Sequence, residues 1–506
     1  MTNHLFDAIQ SRITDPKSRF LIDNTGRELS YADLVAGAGR MAHALVDFGV
    51  KPGDRVAAQI EKSPGALLLY LGCVRAGAVF LPLNTAYTVP ELEYFLGDAT
   101  PALVVVDPAK AASLQPVVTG INAKLATMDA AGAGSLRERA SQMPDQFENA
   151  VRGPDDLAAI LYTSGTTGRS KGAMLSHDNL ASNALVLVDY WHFGASDVLL
   201  HALPIYHTHG LFVATNVVLM AGASMIFLAK FDAADVLARL PSATAMMGVP
   251  TFYTRLLDQP GLTLQATAHM RVFISGSAPL LAETHDQWRA RTGHAILERY
   301  GMSETNMNTS NPYDGERVPG TVGFPLPGTQ LRVADPESGG LKANGEIGVI
   351  EVKGPNVFKG YWNRPELTAK EFRSDGFFIT GDLGLIDDRG YVHIVGRAKD
   401  LIITGGFNVY PKELEEEIDP LPGVLESAVI GLPHRDFGEG VTAVVIPKPG
   451  AIVTEADILK ALDGRLAKFK LPKRVLFLDA LPRNTMGKVQ KNLLRDRFGD
   501  LYQPKN

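Results

Sequence analysis

Tyr162-Thr163-Ser164-Gly165-Thr166-Thr167-Gly168-Arg169-Ser170-Lys171-Gly172 decides how the rest of the chain is read. It gathers hydroxyls at Thr163, Ser164, Thr166 and Thr167 and glycines at Gly165, Gly168 and Gly172 around Lys171. A backbone free to turn, rich in N–H and O–H donors and carrying a cation, suits a phosphate grip. The commoner phosphate loop ends Gly-Lys-Ser/Thr and opens a helix. Here Lys171 follows Ser170 and precedes Gly172, so another way of holding a nucleotide is implied. The apolar run Leu157–Tyr162 reads as a strand feeding the loop, and an α/β sheet presents ligands at the carboxyl ends of its strands. Taken alone, the segment also reads as a plain Ser/Gly/Thr turn between strands.

Working outward, helix and strand patterns alternate. Ser30 and Asp33 form a capping-box pattern, Leu34, Ala38, Met41, Ala42 and Leu45 recur at helical spacing, and Gly49 closes the helix. Arg55–Ile60, Ala78–Leu83 and Ala102–Val106 read as strands, with helices over Ala66–Arg75 and Pro90–Leu96. This alternation predicts parallel α/β sheets. Ala130–Gln146 is polar and reads as a surface excursion, and Gly301–Gly328 reads as loop-rich. Gly345–Val352 and Gly390–Val395 read as short β elements. Beyond Gly396-Arg397-Ala398-Lys399-Asp400 the pattern is strand Leu401–Thr404, helix Pro411–Ile418, strands Leu425–Leu432 and Val441–Pro447, then helix Glu455–Leu466 and a Lys-rich tail. We expect an α/β fold (mixed α/β and α+β): residues 1–396 form a large N-terminal domain of α/β subdomains, 397–399 a hinge, and 400–506 a small mobile C-terminal α+β domain.

Bulk properties fit. A chain of 506 residues exceeds what one hydrophobic core spans. A net charge of −6 argues against nucleic-acid or anionic-membrane binding. The single cysteine, Cys73, excludes an internal disulfide and a cysteine zinc cluster, and its apolar neighbours make it a core residue. Met1–Asp7 lacks a basic and apolar leader pattern. The charge-free window Leu211–Leu228 is broken by Ala221-Gly222-Ala223-Ser224, so it reads as buried helix, turn and buried strand rather than a membrane span. A cytoplasmic location is expected.

Further blocks follow in order: Pro204–Gly210, Ser275–Leu280, Tyr300–Thr305, Phe378–Asp382, Gly396–Glu415 and Pro482–Lys488. With the phosphate loop they resemble the adenylate-forming superfamily of acyl-CoA synthetases, peptide-synthetase adenylation domains and beetle luciferases. Ser170 departs from the proline usual in that family, while Lys171 keeps its place.

The resemblance implies ATP, Mg²⁺ and coenzyme A, and two successive transfers. Adenylation needs no enzyme nucleophile; the protein aligns a carboxylate with the α-phosphate and offsets developing charge. Thr163, Ser164, Gly165, Thr166, Thr167, Gly168 and Lys171 would hold the β- and γ-phosphates. Glu304 would bind Mg²⁺ and Thr305 would touch the α-phosphate. Ser277, Ala278 and Pro279 would face adenine opposite Tyr300, with Glu298, Arg299, Gly301 and Met302 completing the nucleotide site. Asp382 would accept from both ribose hydroxyls, supported by Arg397. On its own, Asp382 reads as a cap or turn aspartate, and Ser275–Ala278 as a tight turn. Lys488 would reach the α-phosphate during adenylation. Rotation about Lys399 would then bring in Gly405, Gly406, Phe407 and Asn408 for CoA. Nε-acetylation of Lys488, by an acetyltransferase and reversed by a deacetylase, would act as an off switch.

The acid is chosen elsewhere. The run Gly301–Ser310, continuing through Asp314–Gly323, resembles malonyl-CoA synthetases, and Arg255 matches their substrate-carboxylate arginine. The implied reaction is ATP-dependent ligation of malonate, and of methylmalonate, to CoA. His207, Arg255, Ser277, Gly301, Met302 and Met307 would line a short polar pocket. By position alone, Arg255 is either an inward cation or a solvent-facing helix arginine, and His207 either touches substrate or is a structural gate. Three other readings stay open: a ligase for another short or aryl acid, an adenylation enzyme loading a separate carrier protein, and a non-catalytic nucleotide sensor.

Overall fold

The computed structural model describes residues 3–163, 170–404, 407–434, 436–466, 468–484 and 487–502. The architecture is the mixed α/β one expected, with a large N-terminal and a smaller C-terminal domain. The helix Tyr31–Asp47 starts at the anticipated box: Ser30 Oγ accepts from Asp33 N and Asp33 returns the contact to Ser30 N. Its buried Leu34, Ala38, Met41, Ala42 and Leu45 join one core with the almost wholly buried helix Pro64–Ala76. Each buried Leu or Met there contributes about 1.5–3 kcal/mol.

Among the described residues, a six-stranded sheet runs in the order Lys124–Thr127, Leu103–Val106, Arg55–Gln59, Val79–Pro82, Leu157–Thr163, Lys171–Ser176. It is parallel until its last pair, which is antiparallel. A nine-stranded sheet is parallel through Val198–His201, Ala245–Gly248, Val272–Ser275 and Leu297–Met302. Gly248, Ser275 and Glu298 are register partners in turn, so the segments following them emerge together at one edge of the sheet. Leu297–Met302 then turns back through Ser303-Glu304-Thr305 to pair antiparallel with Asn306–Ser310. Asn306 takes the left-handed conformation (φ 49°) that this reversal requires and that Asn tolerates. A four-stranded antiparallel sheet places Asp382 opposite Arg397.

From Ile402 onward a separate sheet is formed by Ile402–Thr404, Phe407–Val409, Val424–His434, Gly438–Pro447 and Arg474–Phe477. Helices Pro411–Ile418 and Glu455–Leu462 close one face around Leu414, Ile418, Val429, Val441, Val445, Ile458 and Leu462. The window Leu211–Leu228 is a buried helix, a turn and the strand Ser224–Phe227, as read; its opening turn His209–Thr215 is a π-helix. Among the described residues no helix is long and apolar enough to cross a membrane. Cys73 is buried, and burial pushes its thiol pKa up.

Two stretches carry short elements that the sequence pattern did not mark. Gly301–Gly328 is loop-rich, as expected, but holds the fully buried strand Asn306–Ser310, stabilised by pairing on both edges and by Asn183 and Asn356 hydrogen bonds rather than by apolar alternation. Ala130–Gln146 contains the helix Ser135–Ser141, anchored by buried Leu136 and Ala140.

Candidate active site

Strands Leu157–Thr163 and Lys171–Ser176 pair antiparallel, which places Thr163 directly opposite Lys171. Ser164, Gly165, Thr166, Thr167 and Gly168 lie outside the described residues. Lys171 is buried, with 9% of its surface exposed. Its Nζ lies 2.9 Å from Glu371 Oε1 and 4.3 Å from the centre of the Tyr361 ring. The Tyr361 hydroxyl is 2.7 Å from Glu371 Oε2 and 3.0 Å from Glu304 Oε1. Glu304, at the tip of the Ser303–Thr305 turn, is buried; burial raises its pKa and nearby Glu371 adds to the effect. Thr305 Oγ1 is buried without a partner, a hydroxyl left free for a ligand. Among the described residues no group of His, Cys, Asp and Glu forms a ready metal cage.

Asp382 is held from two sides. Arg397 Nε is 2.6 Å from Oδ1, and the Tyr300 hydroxyl donates to Oδ2 at 2.5 Å. The Asp382 charge is the main cause that raises the Arg397 pKa. Ser277 sits in the left-handed region (φ 72°), costly for a residue with a Cβ, and its hydroxyl pairs with His209 Nδ1 at 3.1 Å. Ala278 is half-buried and Pro279 exposed beside it. Glu298 lies under this turn: Oε1 accepts from Leu280 N (3.2 Å), Oε2 has no partner, and burial pushes its pKa to about 7.

Arg255, which the sequence left open between an inward cation and a solvent-facing helix arginine, is exposed. Helix Pro250–Leu257 buries Tyr253 and Leu256, which puts Arg255 on the opposite face, exposed, one turn from Thr251. Arg299 is buried, 3% exposed, with Nε and Nη2 unpartnered. It packs beneath Gly276, where a Cβ would overlap its guanidinium. Burial lowers its pKa to about 9, with Tyr253 and Glu298 opposing. His209, which the sequence reading passed over, is buried, with Nε2 unpartnered; burial and then the Arg299 charge keep it neutral. His207 Nε2 is likewise unpartnered, and burial, helped by Lys488, holds its pKa to about 4. Met307 is buried as the register partner of Gly301, where a Cβ would overlap Asn306 O; Met302 is half-buried near the Tyr300 hydroxyl.

Lys488 enters the same space. It is crowded by protein yet open to solvent. Desolvation lowers its pKa, and Arg397 and Arg299 add to this while Asp382 and Glu304 oppose it. Its loop is tied inside the C-terminal domain. Lys488 N donates to Asn484 Oδ1 (3.0 Å), Arg483 bonds Gly487 O (2.6 Å) and pairs with Glu426, and Lys491 pairs with Glu415 (2.6 Å). Gly487 faces Thr251 of the large domain. Lys412 Nζ also crosses between domains, to Ile394 O at 2.6 Å. Lys399 is exposed in the short turn Ala398–Asp400. Phe407 is exposed and stacks on Phe469 (centroids 4.7 Å). Gly405 and Gly406 lie outside the described residues, as does the side chain of Asn408.

Residues 11–362 match the sequence pattern of AMP-binding enzymes, and residues 413–488 that of the AMP-binding enzyme C-terminal domain. A feruloyl-CoA synthase from an Amycolatopsis species is 37% identical over 479 residues, 94% of this chain and 95% of its own. The mitochondrial malonate–CoA ligase of Mus musculus is 37% identical over 527 residues, 96% of this chain and 90% of its own. The crystal structure of ATP-bound MatB from Rhodopseudomonas palustris is 64% identical, covers 99% of this chain and 100% of its own, and superposes with a TM-score of 0.98. Its apo form, with the same identity and coverage, gives 0.86.

Proposed function

Because the chain belongs to the AMP-binding enzyme family and is an AMP-forming acyl-CoA ligase, we propose that it joins malonate to CoA through malonyl-AMP, releasing AMP and pyrophosphate. The observation that carries this reading is Arg299: a buried guanidinium with unpartnered N–H groups, beside His209 and beneath the Gly276–Ser277 turn. A monocarboxylic or aryl acid would leave that cation unpaired, whereas the second carboxylate of malonate would pair with it. His207, His209 and Ser277 supply neutral polar contacts, and exposed Arg255 steers the dianion at the rim. In this reading Met307, packed against Gly301, caps the acid site and methylmalonate is a second substrate.

In the first transfer one malonate carboxylate attacks the α-phosphate of ATP and pyrophosphate leaves. Thr163 and Lys171 flank the triphosphate, Asp382 and Arg397 fix the ribose, and Thr305 and Lys488 meet the α-phosphate. Glu304 would hold Mg²⁺: it is a buried carboxylate joined through Tyr361 to the phosphate-loop lysine, and one hard oxygen ligand with phosphates and waters suits that ion, which would offset phosphate charge. The C-terminal domain, taken from Asp400, then turns about Lys399, withdrawing Lys488 and presenting Phe407 and its neighbours to the CoA thiol. The similarity to the ATP-bound rather than the apo MatB structure supports reading the present arrangement as the adenylating one. A reducing cytoplasm suits a chain whose one cysteine is a buried thiol. Lys488 is exposed enough for an acetyltransferase, and acetylation would remove its charge; retained pyrophosphate exchange in protein acetylated at Lys488 contradicts that switch.

The deciding experiment measures AMP, pyrophosphate and the acyl-CoA product with a panel of mono- and dicarboxylic acids. Malonate should lead in kcat/KM. Preference for acetate or an aryl acid rejects the diacid reading, and adenylation without CoA-thioester formation points to a carrier protein as acceptor.

A further inference from the structure

We propose that Glu371 parks Lys171: it holds the phosphate-loop lysine in an ion pair that the ATP triphosphate must displace, and so sets the affinity for ATP. The inference rests on the reading that Lys171 meets the ATP phosphates.

Lys171 is buried, so its charge needs a partner when no nucleotide is bound, and Glu371 Oε1 at 2.9 Å is that partner. Glu371 is not a loose surface group. Its backbone N–H is bonded to Leu367 O and Thr368 O, and its carbonyl accepts from Ile379 N at 2.8 Å. Its second oxygen meets the Tyr361 hydroxyl, and the Tyr361 ring lies against the Lys171 ammonium. The carboxylate, the ring and the ammonium thus form one packed unit beside the strand ends where Thr163 faces Lys171. A triphosphate arriving there meets a lysine already neutralised and a carboxylate of its own sign. Phosphate can gain the full ammonium only by exchanging with Glu371, so part of the attraction is spent on undoing the resting pair. Tyr361 marks where the displaced carboxylate goes. Its single hydroxyl hydrogen is shared between Glu371 and Glu304, so it can keep hold of Glu371 as Lys171 turns away.

The test is equilibrium binding of a nonhydrolysable ATP analogue to the full chain, by calorimetry, without acid or CoA. Glu371→Gln keeps the shape and removes the charge; it should tighten binding by about five- to thirtyfold. Glu371→Asp, which keeps the charge, should stay nearer the parent. Lys171→Met should weaken binding, and in that background Glu371→Gln should change it less than about twofold, because the two side chains act as one pair. Unchanged or weaker binding by folded Glu371→Gln protein overturns the parking role, and so does equal tightening with and without Lys171. Binding unaffected by Lys171→Met rejects instead the underlying assignment of Lys171 to the phosphates.

Discussion

Replacing Arg299 with Met removes the cation while nearly keeping its volume. Burial draws the Arg299 pKa down to about 9. At about 1.4 kcal/mol for each tenfold change in proton affinity, that represents on the order of 5 kcal/mol of hydration withheld from the charged side chain. A bound carboxylate recovers much of it. Without the guanidinium, that carboxylate would itself be buried and unpaired, at a cost of about 3–5 kcal/mol. Lys488, within the same electrostatic field, softens the loss. Arg299→Met should therefore lower malonate kcat/KM by about a thousandfold and leave acetate or butyrate unchanged or improved. Arg255→Met, at an exposed position, should cost malonate less than about tenfold. Pyrophosphate release, measured for each acid on each variant, separates the two arginines. Equal losses for malonate and acetate in Arg299→Met, with its melting temperature preserved, would refute the pairing argument.

Lys488→Ala should abolish acyl-adenylate formation yet largely spare thioester formation from preformed acyl-AMP; near-normal pyrophosphate exchange contradicts the role. Gly276→Ala would drive a methyl group into the Arg299 guanidinium, a clash worth about 1–3 kcal/mol, so malonate turnover should fall at least several-fold while nucleotide binding holds; unchanged malonate kcat/KM would mean the guanidinium moves freely. Burial holds His177 and His207 to a pKa of about 4, and holds His201 and His209 well below their ordinary range. Between about pH 6.5 and 4 the unfolded chain binds protons that these folded histidines refuse, so stability falls as pH falls through that window. Glu298 and Asp419, raised to about 7, act in the opposite sense, but the histidines outnumber them. A melting temperature that stays flat or rises from pH 6.5 to 4.5 would contradict this balance.

Helical and strand periods carried most of the large domain and the order of the C-terminal one, because those elements bury a single apolar face. Pro411–Ile418 was readable to its ends: proline opens it, and Leu414 and Ile418 face the core. Asn306–Ser310 was not, because its neighbours satisfy polar side chains inside the protein and no alternation marks it. The π-helix at His209–Thr215 left no trace, since every residue in it is buried and no hydrophobic period distinguishes one helical pitch from another. In the site, the resemblance to adenylate-forming enzymes implied Lys171, Glu304, Asp382 and Lys488. Helical spacing gave Arg255 a helix but not a face; the resemblance placed Arg299 in the nucleotide site, and nothing in the sequence marked its packing against Gly276 or its charge beside His209. Tyr361 and Glu371 sit outside every quoted motif, where a tyrosine and a surface-like glutamate give no hint of meeting a lysine far away in the sequence.

Among the described residues, several ties around Lys488 are made to its own domain: Arg483 to Glu426, Lys491 to Glu415, and Asn484 to the lysine backbone. The loop is therefore a pointer fixed to a dial. In the rotation about Lys399 proposed above, an angular error at Ala398–Asp400 is multiplied by the length of the arm before it reaches the ammonium, so a substitution in that turn should blunt catalysis without touching any reacting group.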